Sequence, residues 1–238
     1  IPFVEVDSTS PPIDIEYVAY GAESDLGPFP SPLDAPIEGG PDGTGDRHVI
    51  ALDRADCMLY ELFDARPADG RWQAASGARY DLASNELRPD GWTSADAAGL
   101  PIFPGLVRYD EVASGSIEHA IRFTAPRTQR SYVWPARHFA SSDSDPALPP
   151  MGQRFRLRAD FDTVGFDPDV MVILTAMKRY GLVLADNGSS WFISGAPDPG
   201  WDNDALRQLG QLTGEDFEAV DAAPLQVSPD SGAARTTP

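Results

Sequence analysis

Lysine is almost absent from this chain, cysteine occurs once, and no run of about 18 or more apolar residues exists. The missing run excludes a helix that crosses a membrane, so no membrane insertion is expected. The single cysteine, Cys57, excludes an intrachain disulfide; in the strand-like run "CMLYELF" it reads as a small buried apolar residue. Positive charge is scarce: 18 Lys and Arg against 37 Asp and Glu give a formal net charge of −19 and a pI near 4.3. Such a surface repels nucleic-acid phosphates and anionic lipid, which excludes both as partners, and it weighs against a polyanionic polysaccharide. Nucleotide and nucleophile signatures are missing as well. There is no GxGxxG, no P-loop and no GxSxG, so no cofactor is expected and no serine nucleophile can be assigned.

Apolar residues are plentiful. A hydrophobic content of 42% over 238 residues is enough for a sizeable core without disulfides. The 21 Gly and 23 Pro imply many turns and few long helices. The first residue is Ile1 and not Met, as expected of a processed chain that has lost a signal peptide, and the acidic, lysine-poor composition suits a secreted, extracellular protein.

Residues 1–46 are rich in Pro, Gly and acid, with apolar beads at Ile13, Tyr17, Tyr20, Phe29 and Ile37. They read as an irregular coat over a domain spanning 47–221, and 222–238 read as a disordered tail. Within the domain, strands are expected at 47–53, 57–65, 69–82, 114–125, 130–136 and 153–161. Short strands with frequent turn signals predict a mainly β fold, a β-sandwich or jelly roll. One packed α-helix interrupts it at about 168–180: Asp167 can cap it, Pro168 suits its first turn, Gly181 can end it, and Val170, Ile173, Leu174 and Met177 form an apolar stripe. Asn187-Gly188 predicts a type I′ hairpin joining 182–186 to 190–194. A weaker helix at 203–209 and an edge strand near the end complete the reading.

The stretch "SIEHAIRF" (116–123) alternates apolar and polar residues, and strand periodicity places His119 on the same face as Ile117, Ile121 and Phe123. A histidine there suits the floor of an open groove on a curved sheet. His48, His119 and His138 are the whole histidine complement. They are the only imidazole set for a metal, but no HxH or HxxxH pair supports one, so no metal is assigned. Trp92 and Trp134 can stack on sugar rings. Arg122 can neutralise an acidic sugar. Glu61 lies among apolar residues that would raise its pKa as a general acid requires, and Asp96, in the Trp-containing loop "DGWTSADAAGLP", is the second carboxylate. A glycoside hydrolase holds two such groups about 5–5.5 Å or about 6.5–9.5 Å apart. The arginine runs Arg154, Arg156, Arg158 and Arg127, Arg130, Arg137 read as solvated faces.

The stretches "GDRHVIALD", "CMLYELFDA", "LRPDGWTSADAAGLPIFPGLVRYDEV", "IEHAIRFT", "PPMGQRFRL" and "YGLVLADNGSSWFISG" together resemble a family of β-rich, single-domain secreted bacterial proteins that carries no functional name. The resemblance covers about 25 to 220, implies one extracellular domain, and brings no catalytic motif. The residues therefore lead to an extracellular carbohydrate-active protein, a glycoside hydrolase acting on a polysaccharide through Glu61 and Asp96, with His119, Trp92, Trp134 and Arg122 lining the site. The alternatives are a non-catalytic glycan-binding or cell-surface interaction domain, and a polysaccharide lyase or histidine-ligated metalloprotein.

Overall fold

The computed structural model describes residues 1–235. In chain order its strands and α-helices are β1 (Val4–Val6), β2 (Ile15–Tyr17), β3 (Val49–Asp53), β4 (Met58–Phe63), β5 (Arg66–Ala68), β6 (Arg71–Ala74), β7 (Ser76–Asp81), α1 (Tyr109–Ser114), β8 (Ile121–Ala125), β9 (Arg154–Leu157), α2 (Pro168–Arg179), β10 (Leu182–Asn187), β11 (Phe192–Ile193), α3 (Asn203–Leu206) and β12 (Phe217–Val220).

These strands do not form a β-sandwich or jelly roll. They form three separate open sheets, ordered β1-β3-β4-β7, β2-β6-β5 and β11-β8-β10-β9-β12, in a mixed α/β fold. Three pairings are parallel: β1 with β3, β2 with β6, and β8 with β10. Parallel neighbours need long crossovers, and local turn signals favour the antiparallel neighbours of a sandwich instead. That is why strand existence was readable where sheet layout was not.

The helix α2 forms where its periodicity places it. The Asp167 side chain accepts from the Asp169 N–H at 3.0 Å, and Val170, Ile173, Leu174 and Met177 are all buried. Gly181, at φ +77, ends the helix in the left-handed region that glycine reaches without strain. The buried stripe packs on Ile121, Phe123, Leu157, Leu182 and Leu184 of the five-stranded sheet, making the largest apolar cluster. Asp167→Ala is expected to lower stability by about 1 kcal/mol through loss of the cap, measurable as an earlier urea midpoint with unchanged slope.

Other expectations are corrected. Asn187-Gly188 does not join β10 to β11, because β8 lies between them: β11 pairs antiparallel with β8 and β10 pairs parallel with it. Burying β8 from both sides, with Ile121, Phe123, Arg122 and Thr124 all inside, outweighs a two-residue turn. The strand expected at 114–125 is only Ile121–Ala125, with α1 ending at Ser114 before it. The stretch 130–136 keeps a single bridge, Tyr132 to Met151. Cys57 is exposed, in the turn between β3 and β4, where Asp53 Oδ1 accepts from the N–H groups of Ala55 and Asp56 at 3.0 Å each.

Residues 1–46 supply β1 and β2, edge strands of two sheets, and Phe29 is fully buried with Ile13, Tyr17 and Ile37 around it. Tyr20 is exposed. Within the expected tail, the described residues 222–235 are hydrogen-bonded to the domain: Trp134 Nε1 donates to the Ser231 carbonyl at 2.8 Å, and Arg137 Nη1 donates to the Pro229 carbonyl at 2.9 Å.

Candidate functional site

Two neighbouring segments build a polar centre. Residues 93–96, in the loop after β7, are buried, and Ser94 orders them: its Oγ accepts from the Asp96 N–H at 2.9 Å and donates to the Leu100 carbonyl at 2.7 Å. From β8, Arg122 reaches the same place. Its Nε donates to Asp96 Oδ2 and its Nη2 to Asp96 Oδ1, both at 2.8 Å, while Nη1 donates to Ser194 Oγ at 2.5 Å. The Asp96 side chain is 0% exposed and that of Arg122 6%. Two parallel N–H···O bonds make this a fork-to-fork pair, the geometry for which guanidinium suits carboxylate. The charge of Asp96 and its bonds to Arg122 outweigh burial and hold Arg122 firmly protonated.

Asp186 completes the centre. It lies toward the C-terminal end of β10, just after a register shift between Leu184 and Asp186 that re-aims the strand. Burial first, then the charge of Asp96, push its carboxyl far above the usual carboxylate range. Burial and the neighbouring carboxylate thus favour the protonated form of Asp186, while the forked pair with Arg122 fixes the position of Asp96.

Asp96 and Asp186 border a cleft of about 350 Å³ whose wall includes Ser94, His138, Phe139, Phe63 and Tyr20. His138 stacks on Phe139, ring centroids 5.6 Å apart and 5° from coplanar, and its Nδ1–H donates to the Ala97 carbonyl at 2.9 Å. The cleft thus brings the Asp186 carboxyl together with aromatic faces.

Glu61 stands elsewhere. It is 0% exposed, and its carboxyl accepts from the N–H groups of Ile102 (2.9 and 3.0 Å) and Phe103 (2.8 Å). Burial raises its pKa to about 7 against the pull of those N–H groups. A carboxyl so enclosed has no opening to a substrate oxygen, so its role is to satisfy the backbone at residues 102–103.

His119 precedes β8 and lies in an ionic cluster beside α1, not on a groove floor. Its Nε2 is 3.2 Å from Glu111 Oε2 and from Arg108 Nη2, and its Nδ1–H donates to the Ala120 carbonyl at 2.9 Å. Trp92 lies against the Arg88 guanidinium, 5.6 Å from its ring centroid. Trp134 borders a different cavity. Of the sequence-predicted residues, the structure brings Asp96 and Arg122 together and leaves His119, Trp92 and Trp134 outside the Asp96 cleft lining.

The three histidines do not converge on a metal. Among the described residues the one convergent ligand group is His48 with Glu38 and Asp46, within 4.8 Å of one another. Both His48 nitrogens are already engaged, Nδ1 with Glu38 at 2.6 Å and Nε2 with the Ala95 carbonyl at 2.9 Å. Burial opposes protonation of His48, but the hydrogen bond and charge of the half-buried Glu38 outweigh it and raise its pKa, so His48 is a structural contact behind Ala95.

Asp186 and Phe139 were missed as site residues, and His138 was weighed only as a metal ligand. The signal for Asp186 was present: it is the first acidic residue after the buried run Leu182–Ala185, at the carboxyl end of a parallel strand, where open α/β sheets place ligands. No family model, no curated protein and no solved structure matches this chain.

Proposed function

We propose that the Asp96–Asp186 cleft binds a neutral, polyhydroxylated ligand of the sugar class, so that this is a carbohydrate-binding protein. The observation that carries the reading is a cleft that sets the Asp186 carboxyl among aromatic side chains. The half-buried Asp186 carboxyl meets a hydroxyl or ring oxygen, while Asp96, its two oxygens taken by Arg122, fixes the wall behind it. Phe139, Phe63 and Tyr20 supply faces for sugar C–H groups. A volume of about 350 Å³ suits a unit the size of a monosaccharide. Secretion and a surface or polysaccharide glycan as source accord with the acidic composition.

Cleavage of a glycosidic bond is the second reading, favoured by the place of Asp186 at an open cleft, where burial raises its pKa as an acid catalyst requires. The hydrolase would then use Asp186 and Asp96 in place of Glu61. Asp96 is enclosed with both oxygens bonded to Arg122, so a second carboxylate is not free to act across the cleft, and binding is the better-supported function.

Calorimetric titration of the full chain with neutral mono- and disaccharides tests both. Saturable binding that Phe139→Ala weakens about tenfold is the expected result, a loss of about 1.4 kcal/mol. Asp186→Asn keeps a donor and is expected to retain binding. Release of reducing ends by the wild type and not by Asp186→Asn would replace the binding reading with the hydrolytic one. Absence of both binding and release across the panel would reject the sugar class.

A further inference from the structure

Arg154 is the one arginine of its strand without a counter-ion. Arg156 Nη2 pairs with Glu218 at 2.5 Å and Arg158 Nε with Asp160 at 3.2 Å, both in the open. Among the described residues no carboxylate comes within 4.0 Å of the Arg154 guanidinium. Its Nη1 donates to the Tyr180 carbonyl at a long 3.3 Å, its buried Nε has no partner, and no protein acceptor faces Nη2. Burial alone moves its pKa, downward, because nothing opposite compensates the charge. In a chain with a net charge of −19, an uncompensated, largely buried cation is anomalous.

The same guanidinium lines a cavity of about 510 Å³ with Trp134, Gln153, Val133 and Gln226. Trp134 is held in place by its bond to Ser231. The Gln153 amide donates both hydrogens, to the Arg154 carbonyl at 2.9 Å and the Val220 carbonyl at 3.0 Å, which leaves Oε1 as an acceptor. Asp221 also lines the cavity, exposed and beyond ion-pair distance of Arg154.

We propose that this cavity is a second, anionic-ligand site, taking a carboxylate carried on a hydroxylated ring, the hexuronate class. The Arg154 fork takes the carboxylate, the Trp134 ring takes the C–H face, and Gln153 Oε1 accepts a ring hydroxyl. The site shares no residue with the Asp96 cleft, so it stands or falls independently of the function proposed there.

Titration of the full chain with sodium glucuronate, glucose and sodium acetate is the test. Glucuronate is expected to bind saturably at about millimolar concentration, with glucose and acetate each about tenfold weaker or worse, and rising salt should weaken the glucuronate signal. Arg154→Met is expected to lose the glucuronate preference while melting at or above the wild-type temperature in the absence of ligand, since it removes an unpaired buried charge. Equal binding of glucose and glucuronate overturns the proposal, as does a preference that survives Arg154→Met. Failure of Arg154→Met to fold also overturns it, because Arg154 would then be part of the framework. No response of the wild type to glucuronate, with or without added salt, overturns it outright.

Discussion

Arg122→Met is expected to destabilise the protein by about 3–5 kcal/mol, the usual cost of leaving one partner of a buried ion pair alone. The substitution keeps most of the side-chain volume and removes all three hydrogen bonds to Asp96 and Ser194. Asp96, whose side chain is 0% exposed, then faces an apolar wall and must take up a proton or unfold its loop. Set against a typical total stability of about 5–15 kcal/mol, such a loss brings many domains near the unfolding midpoint. Arg122→Lys is expected to fall between, because an ammonium cannot make the forked pair. Urea unfolding of wild type, Arg122→Met, Asp96→Asn and the double variant measures the coupling directly. If the double variant loses the sum of the two single losses, the pair is not acting as a unit and the site has been misread. Since Arg122 anchors Asp96 in the cleft wall, the same substitution also frees that wall, and ligand binding in the cleft should be lost in whatever fraction remains folded.

Stability is expected to fall as pH rises from about 4.5 toward about 7, the reverse of the trend set by salt-bridged carboxylates. Glu61 supplies the reason. Its pKa rises from the ordinary 4.5 to about 7 in the folded protein, mainly through burial. A group that binds its proton more tightly when folded gives stability that is complete below the unfolded pKa and is lost as pH passes the folded one. The span corresponds to about 3 kcal/mol between pH 4.5 and pH 8. Asp186 and His48, both raised, act in the same direction, whereas Glu38, lowered by its bond to His48 against the effect of burial, matters only on the acid side. Denaturation midpoints at pH 5, 6, 7 and 8 are the measurement, with Glu61→Gln expected to flatten the slope. A wild-type midpoint that climbs over this range would show that Glu61 keeps its charge inside the fold.

The parts that were legible in the sequence are those fixed by neighbours a few residues away. The helix α2 announces itself through Asp167, Pro168, the stripe from Val170 to Met177, and Gly181, all within one short segment. The strands β3 and β4 follow in the same way from apolar runs around a short turn. His119 shows the opposite case. Its alternation with Ile117 and Ile121 is real, but α1 ends at Ser114 and β8 begins only at Ile121, so the period-two pattern has no strand to act on. Glu61 was singled out correctly as a carboxyl in an apolar setting. What encloses it, the backbone of residues 102 and 103, lies about forty residues away and left no local mark. The cleft was half visible: Asp96 and Arg122 were both named, but as members of different roles, and Asp186 was passed over as the last residue of an expected strand.

By itself the sequence determined the acidic surface, the absence of a disulfide and of a membrane-crossing helix, the position of α2, and which short segments are extended. These depend on composition and on spacings of two to four residues, which side-chain geometry enforces locally. The tertiary structure alone decided that β8 lies between β10 and β11, that Arg122 faces Asp96, that Asp186 lines the same cleft, and that Arg154 borders a cavity without a counter-ion. Each of those is set by burial and by charges brought together from distant segments, and neither quantity exists until the chain has folded.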